Sequence, residues 1–334
     1  MSRYLITGGL GFIGTELAST LVASGHQVRI IDNLSNGRHN AVCEDCEVVL
    51  GDVNDHKLVG EAMAGVDGCF HLASCNESPG QDNDDLNCNN LQGMINVLSA
   101  AKSACTKSVL PVVYASSSIT YGDNAHTSLG EDLAARPLTS AAADKVGMEL
   151  RARVATLGHG IPTTGLRLFS VYGRPLHAAT PDRGVIATFM QRIQNDQAIT
   201  IYGDGEQTRD FVYLTDVVNF FISAMSITPR QPALYNVCTG RQTSLQQLAH
   251  MLFSLLGKPV EIRYAAARKA DIRSSVGNPE LAIRHLGIRA RTTLASGLKL
   301  MLAGQSDGTV FGKDDTAAAA AHLSLALNPS TVTP

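Results

Sequence analysis

The sequence contains no tryptophan, and aromatic residues make up only 5% of its 334 positions. It also has little charge bias, because 27 Lys and Arg stand against 30 Asp and Glu, a net charge of −3. The absence of a long basic block argues against nucleic-acid binding through phosphate neutralisation. No apolar run reaches the roughly 18 residues of a membrane span. The first residues lack the pattern of a signal peptide, so we expect a cytoplasmic protein without membrane contact.

Cysteine is present in an odd number. Seven cysteines in a chain of this length favour reduced thiols over a disulfide framework. Cys43 and Cys46 form one C-x-x-C pair without a second pair nearby, whereas a structural zinc site usually takes four ligands. The pair is more typical of a surface turn before a strand, and we expect no metal.

Short β-branched runs alternate with helix-period stretches in the first half of the chain. This alternation predicts a parallel sheet that is covered by helices on both faces. The predicted strands are 4–7, 27–32, 47–50, 68–72, 109–115 and 166–169, and the predicted helices are 15–24, 56–63, 90–102 and 142–157.

The pattern becomes more mixed after this point and predicts a smaller α/β lobe. This part of the chain is interleaved with the sheet. Its predicted strands are 198–202, 211–212 and 233–237, and its predicted helices are 184–195, 215–225 and 244–256. The last part, with five alanines at 317–321, reads as a tail with one short helix over 316–326.

A glycine-rich loop lies between the first predicted strand and the first helix. Gly8, Gly11 and Gly14 are spaced G-x-x-G-x-x-G. Glycines permit a tight turn there and let the N–H groups around Phe12 and Ile13 approach a pyrophosphate at the helix N-terminus. Asp32 follows Gly14 by 18 residues at the end of the second strand, near the spacing of a carboxylate that binds a ribose diol. Because Asp32 repels a 2′-phosphate, the loop predicts NAD rather than NADP.

The ends of the next strands lie where such a cofactor must run. Asp52 and Val53 follow the third strand, and Leu72, Ala73 and Ser74 follow the fourth. His71 lies inside an apolar run, so a hydrogen-bonded, half-buried histidine is favoured over a catalytic base.

Several ordered motifs together resemble the extended short-chain dehydrogenase/reductase family, in its nucleotide-sugar epimerase and dehydratase branch. Besides the glycine loop, they are Asp32–Gly37, Asn90 with Gly93 and Asn96–Leu98, Ser116–Gly122, Leu166–Gly173, Ile201–Phe211, and Tyr235–Val237 with Thr239 and Gly240. The resemblance covers about residues 3–302 and is strongest to UDP-hexose and UDP-hexuronate 4-epimerases.

The resemblance implies a Rossmann-type doubly wound sheet with a smaller mixed α/β substrate lobe. Residues 1–170 are expected to form the NAD-binding domain, to which part of 210–240 returns. Residues 171–302 are expected to form most of the nucleotide-sugar lobe, and 303–334 the tail. The resemblance adds to the cofactor contacts named above Asn33, Asn36, Gly37, Asn90, Lys145 and Phe169.

In that family, a UDP-sugar is transiently oxidised at C4 with NAD and then reduced on the other face. A Tyr in a Y-x-x-x-K pair removes the hydroxyl proton, since a phenol beside a cation can act as a base near pH 7. The Lys matches Lys145, with Glu149 following at the usual interval. The Ser that binds the same hydroxyl matches Ser117, with Ser118 as the alternative. The Tyr position is occupied by Ala141.

Ala141 leaves three interpretations open. The chain is an inactive form of an epimerase, made to trap a bound substrate. Alternatively, Tyr121, Tyr172 or a water near Lys145 acts as the base. As a third possibility, the protein binds NAD and a nucleotide sugar without catalysis. Removal of a general base typically costs about 10²- to 10⁴-fold in rate.

The resemblance also implies substrate contacts. Arg209 and Arg268 match arginines that bind the substrate diphosphate, Asp271 matches an Asp on the nucleotide ribose, and Arg273 is a nearby candidate. A planar guanidinium suits such phosphate recognition.

Ser170 stands where most relatives have Asn, and a hydroxyl there resembles the hexuronate 4-epimerases. Arg174 and His177 follow and suit an anionic sugar. A dehydratase or decarboxylase is the alternative activity. Dehydratases carry an Asp-Glu pair after the catalytic Thr, where this chain has Ser118 and Ile119. Decarboxylases keep the Asn, so the epimerase is favoured.

Relatives commonly dimerise through a four-helix bundle made of the helices predicted over 90–102 and 142–157. A homodimer is therefore expected on resemblance. The first of these helices carries an i, i+3, i+4, i+7 apolar stripe that fits either an interface or the core. The stripe consists of Met94, Val97, Leu98 and Ala101.

Overall fold

The computed structural model describes residues 1–35, 45–74, 90–104, 109–126, 128–173, 184–227, 229, 231–268 and 271–306. The strands are β1 (Arg3–Thr7), β2 (Gln27–Asp32), β3 (Glu47–Leu50), β4 (Gly68–His71), β5 (Val112–Ser117), β6 (Thr163–Leu168), β7 (Ser170–Tyr172), β8 (Ile199–Tyr202), β9 (Thr208–Arg209), β10 (Phe211–Tyr213), β11 (Ala233–Val237), β12 (Thr243–Ser244), β13 (Ile262–Ala265) and β14 (Ser274–Ser275).

The helices are α1 (Phe12–Ala23), α2 (His56–Met63), α3 (Asn90–Ala104), α4 (Ser140–His159), α5 (Gly184–Gln194), α6 (Leu214–Ser226), α7 (Leu245–Leu256), α8 (Glu280–Leu286) and α9 (Leu294–Ser306). A 3-10 helix spans Ser118–Tyr121. Within the described ranges, no helix is both long enough and apolar enough to cross a bilayer.

Seven strands form one parallel sheet in the order β11-β6-β5-β4-β1-β2-β3. This arrangement confirms the predicted Rossmann-type α/β fold. One face is covered by α1 and α6, whose apolar side chains share a core with Ile6 and Phe70 of the sheet. The other face is covered by α2, α3 and α4, which pack on Leu5 and Cys69. Because all strands are parallel, their carboxyl ends meet at one edge, and most of the candidate site lies there.

The predicted elements of the sheet agree with the structure except near their ends. α1 begins at Phe12, earlier than predicted, because the glycine turn leads directly into it. β5 begins only at Val112, since Pro111 precedes it and Val109 is half exposed. Thr139 starts α4 by accepting a hydrogen bond from the Ala142 N–H at 3.2 Å, and Gly160 ends it with φ +67.

The second lobe contains small sheets that the sequence only partly predicted. β8 pairs with β13, β7 with β10, and β9 with both β12 and β14. Helices α5, α7 and α9 pack around these strands in a separate core. The sequence did not predict α8 or α9. Since α9 continues to Ser306, the helical part extends past residue 303, where the tail was expected to begin. The helix predicted over 316–326 lies outside the described residues.

The apolar stripe predicted on α3 belongs to the core. Met94 and Val97 are fully buried in this chain, and Leu98 and Ala101 are 8% and 1% exposed. They pack on α4, β4 and β5 within one apolar cluster. The stripe is therefore not available as an interface. Of these two helices, α4 carries exposed large apolar side chains, at Leu150, Val154 and Leu157.

Candidate active site

The glycine loop between β1 and α1 forms a tight turn. Gly8 has φ +70, in the left-handed region, and its carbonyl accepts the N–H of Gly11 at 3.2 Å. A Cβ on Gly14 would lie 2.6 Å from Cα of Gly9 and still closer to the Gly8 carbonyl oxygen. No side chain caps the start of α1, where Gly11 is the N-cap. The N–H groups at Phe12 and Ile13 are thus those of an uncapped helix start, a fitting partner for a pyrophosphate.

Asp32 is held at the end of β2 beside this turn. Its carboxylate is 8% exposed and accepts the N–H of Leu10 at 3.0 Å and of Leu34 at 2.8 Å. Next to it, Asn33 Nδ2 donates to Asp52 Oδ2 at 3.0 Å, which joins the ends of β2 and β3. The role of Asp32 as a ribose contact stays a prediction. Asn36 and Gly37 lie outside the described residues.

The ends of β1 and β4 are joined by a buried histidine. His71 is 1% exposed, and its Nδ1 lies 2.7 Å from Thr7 Oγ1. The histidine is hydrogen-bonded as predicted but more deeply buried than expected. Burial, with the charge of Lys145 as a second cause, lowers the pKa of His71 to about 3. A neutral, enclosed imidazole of this kind is not placed to act as a base.

The structure brings Leu72 and Ala73, two of the predicted cofactor residues, close to the glycine turn. A Cβ on Gly8 would come within 2.7 Å of the Ala73 backbone, and Leu72 N donates to the Thr7 carbonyl at 3.0 Å. Asn90 is buried at the start of α3, where its N–H donates to Asp144 Oδ2 at 3.1 Å. The backbone carbonyl of Val53 accepts a hydrogen bond from α3. Ser74 ends the described segment after β4.

Lys145 and the serines come from neighbouring elements, α4 on one side and the end of β5 with its 3-10 helix on the other. Lys145 on α4 is 7% exposed, and its Nζ donates to the Ala115 carbonyl of β5 at 3.0 Å. Ser117 ends β5 and caps the 3-10 helix, accepting the Ile119 N–H at 3.3 Å. Ser118 is the first residue of that 3-10 helix. Ala141 lies on α4 four residues before Lys145, so the two share one helix face.

Neither tyrosine proposed as a substitute base suits that role. Tyr121 is fully buried, and its hydroxyl donates to Asn236 Oδ1 at 2.7 Å. Burial raises the pKa of Tyr121 to about 12 even though the charge of Arg167 acts to lower it. Tyr172 is 4% exposed, and its hydroxyl points to the Thr293 carbonyl at 3.4 Å. Burial raises the pKa of Tyr172 as well.

Two of the predicted substrate contacts, the diphosphate arginine Arg209 and the ribose contact Asp271, are already paired with each other. Arg209 Nη2 lies 2.9 Å from Asp271 Oδ1, and its Nη1 donates to the Ile272 carbonyl at 2.8 Å. Arg268 stacks on the ring of Tyr202 at 3.9 Å from its centroid. Arg273 is exposed and forms an ion pair with Asp204 at 2.6 Å. The structure thus places Arg209 and Asp271 together and gives Arg273 a surface partner.

The segment after β6 carries the remaining predicted contacts. Phe169 is 3% exposed and packs beside the ring of Tyr121. Ser170 begins β7, and its N–H donates to the Asp210 carbonyl at 2.9 Å. Arg174 and His177 lie outside the described residues.

Two buried charged groups near the site were not predicted as site residues from the sequence. Asp210, next to Arg209, is fully buried and accepts hydrogen bonds from Thr239 N, Thr239 Oγ1 and Gly240 N at 2.6–2.9 Å. Burial raises the pKa of Asp210 although these hydrogen bonds act to lower it. The second group is a buried pair of Arg167 and Glu149. The signal that could have found it is a charged residue, Arg167, between the apolar residues Leu166 and Leu168 of a fully buried strand.

Comparison with known proteins gives consistent matches. The model of the NAD dependent epimerase/dehydratase family matches residues 4–238. A UDP-glucose 4-epimerase of Mycolicibacterium smegmatis is 31% identical over 307 residues, covering 89% of this chain and 96% of that protein.

Two solved structures have a similar fold. The UDP-glucose 4-epimerase of Thermotoga maritima with UDP-glucose superposes with a TM-score of 0.83 at 27% identity, covering 91% of this chain and all of that one. MoeE5 in complex with UDP-glucuronic acid and NAD gives a TM-score of 0.80 at 28% identity, covering 92% of this chain and all of that one.

Proposed function

Since the chain belongs to the NAD dependent epimerase/dehydratase family, we propose that it is a UDP-sugar 4-epimerase in which Ala141 impairs proton transfer. The relatives named as epimerases support the activity, and the family is NAD dependent, so the cofactor is NAD. The observation that carries the proposal is the contrast at one face of α4. Lys145 donates to the Ala115 carbonyl of β5, and Ser117 ends that strand, whereas the side chain of Ala141 has no atom that accepts a proton.

The residues of the site have separable roles in this proposal. NAD, when bound, supplies the hydride acceptor and donor. The N–H groups around Gly11–Ile13 hold its pyrophosphate, and Asp32 binds its ribose. Ser117 accepts the Ile119 N–H, so its own hydroxyl hydrogen is directed to another acceptor, which we assign to the C4 oxygen of the sugar. Lys145 supplies the cation that would stabilise a phenolate one helical turn away.

The substrate diphosphate is assigned to Arg209 and Arg268, with Asp271 at the nucleotide ribose. Asp271 and the Ile272 carbonyl fix the Arg209 guanidinium in the absence of substrate, which limits the ordering that binding requires. Ser170 and the relative described with UDP-glucuronic acid make a hexuronate a candidate sugar beside UDP-glucose and the N-acetylhexosamines. The division into domains 1–170 and 171–302 stays a prediction.

The experiment is a paired assay of the chain and its Ala141→Tyr variant with UDP-glucose, UDP-N-acetylglucosamine and UDP-glucuronate. We expect turnover to rise by about 10²- to 10⁴-fold in the variant, the usual contribution of a general base. The sugar that turns over fastest identifies the substrate. Ala141→Phe is the matched control, because it adds the ring without the hydroxyl.

Equal turnover by the chain and the Tyr variant would show that the base lies elsewhere. Turnover by neither protein, with a UDP-sugar still bound, would favour the second candidate function, a binding protein without catalysis. The observation that favours this candidate is Ala141 itself. Release of a dehydrated or decarboxylated sugar would instead indicate a lyase, an activity that the epimerase/dehydratase family also includes.

We also propose a homodimer through α3 and α4. The support is an exposed apolar row on α4 at i, i+4 and i+7, formed by Leu150, Val154 and Leu157, which are 59%, 57% and 52% exposed. An apolar row of this kind on a helix favours pairing with a second copy.

A further inference from the structure

A buried ion pair joins β6 to α4 one helical turn after Lys145. Arg167 in β6 and Glu149 in α4 form two parallel hydrogen bonds, Nε to Oε1 at 2.9 Å and Nη2 to Oε2 at 2.7 Å. Their side chains are only 5% and 11% exposed. Burial acts to lower the pKa of Arg167, but the hydrogen bonds and charge of Glu149, together with Tyr121, outweigh it and raise this pKa above its ordinary value. The guanidinium is therefore a permanent charge in the interior.

Glu149 makes a third hydrogen bond, to a residue of β5. Its Oε1 accepts the hydroxyl of Ser116 in β5 at 2.6 Å. Four residues earlier on α4, Lys145 donates to the Ala115 carbonyl at 3.0 Å. Two consecutive residues of β5 are thus held by two side chains one helical turn apart. The next residue along the strand is Ser117, the proposed contact of the sugar hydroxyl.

Arg167 is fixed from its other side as well. Its guanidinium lies 4.5 Å from the centre of the Tyr121 ring, and the Tyr121 hydroxyl donates to Asn236 in β11. Asn236 Nδ2 in turn donates to the Leu129 carbonyl at 2.7 Å. A buried ion pair is seldom a net source of stability, because desolvation offsets the attraction. A pair in which Glu149 binds Ser116 and Arg167 stacks on Tyr121 is better suited to setting the distance between α4, β5 and β6.

We propose that Glu149 is a positioning residue: held by Arg167, it fixes Ser116 and thereby the spacing between Lys145 on α4 and Ser117 on β5. Displacement of a catalytic group by about 1 Å can cost about 10²-fold in rate. Glu149 contacts neither the sugar nor NAD in this proposal, and it acts only through Ser116 and β5. The proposal rests on the proposed function for its catalytic readout and has a second readout, NAD affinity, that does not.

The experiment replaces Glu149 by Gln in two backgrounds. In the Ala141→Tyr background we expect kcat to fall about 10²-fold while KM for the UDP-sugar changes less than about threefold. In the chain as it stands, we expect Glu149→Gln to weaken NAD binding severalfold in calorimetry, since Lys145 is assigned to the cofactor.

Ser116→Ala removes only the hydrogen bond between Glu149 and β5, and it should lower kcat in the same way. If Glu149 acts through Ser116, the double variant that carries both substitutions should have a kcat no lower than that of the less active single variant.

Thr163→Val is the matched control. Thr163 of β6 is also buried, and it binds α4 through Thr156 Oγ1 at 2.7 Å and the Ala152 carbonyl at 3.1 Å, far from Ser116. This variant should lose stability while kcat and NAD affinity stay within about twofold. Equal effects of Glu149→Gln and Thr163→Val on kcat and NAD affinity would overturn the proposal. So would additive effects of Glu149→Gln and Ser116→Ala.

The failure of the Glu149 proposal can be distinguished from the failure of the proposed epimerase function. If Ala141→Tyr shows no turnover, the proposed function fails, and the NAD affinities of the chain still decide the role of Glu149. If Glu149→Gln does not fold, Ser116→Ala decides it through the same measurements, with unchanged kcat and NAD affinity counting against the proposal.

Discussion

His71 is a single residue that couples stability to pH. Its pKa is lowered to about 3 in the folded chain, by burial first and by Lys145 second, whereas an unfolded histidine titrates near 6.5. Between these values the unfolded chain binds a proton that the folded chain excludes, so stability falls as pH falls. The slope is about 1.4 kcal/mol per pH unit, which amounts to about 2 kcal/mol between pH 7.5 and pH 5.0.

Urea unfolding at these two pH values, followed by circular dichroism, tests the coupling. His71→Gln keeps a polar partner for Thr7 but has no proton to gain, so its stability should depend less on pH by about 2 kcal/mol. The same change at exposed His159 controls for the substitution. A His71→Gln variant with the parental pH dependence would contradict the assignment.

Residues with a local signal could be predicted, and residues whose role depends on distant partners could not. Gly8, Gly14 and Asp32 follow from spacing because the turn, the helix start and the next strand are close in sequence. The Arg167–Glu149 pair joins residues 18 positions apart through the packing of α4 on β6. Asp210 is bound by groups 29 and 30 residues later. Such partners become neighbours only when the sheet and the second lobe are assembled.

At the scale of elements, the junction between β1 and α1 leaves no room for a side chain. We expect Gly14→Ala to abolish NAD binding, or weaken it by at least about 10²-fold, because its Cβ would overlap the backbone of Gly8 and Gly9. Calorimetry with NAD measures the loss. Gly60→Ala in α2 is the control, since nothing lies within 4 Å of its added Cβ. Alanine there favours the helix, so stability should rise by up to about 1 kcal/mol with unchanged NAD affinity.

A Gly14→Ala chain that binds NAD like the parent would show that the cofactor does not use this turn.

The agreement between predicted and observed elements shows what hydrophobic periodicity can predict. β2, β3 and α2 match their predicted bounds. β2 and α2 each carry buried residues, whereas β3, at the edge of the sheet, has only half-buried and exposed ones. The two-residue strands β9, β12 and β14 were missed, since they carry no period and form only by pairing across the second lobe.

At the scale of the whole molecule, the exposed row of Leu150, Val154 and Leu157 tests the proposed homodimer. We expect light scattering to give the parent about twice the 35.4 kDa of one chain. Leu150→Glu with Val154→Glu places charges in the interface and should yield monomers, because buried unpaired carboxylates cost several kcal/mol per ion. Leu300→Glu on α9, at a site 40% exposed, is the control and should leave the mass unchanged. A parent that remains monomeric at high concentration would refute the dimer. Loss of the dimer in the Leu300→Glu variant instead of the α4 variant would place the interface elsewhere.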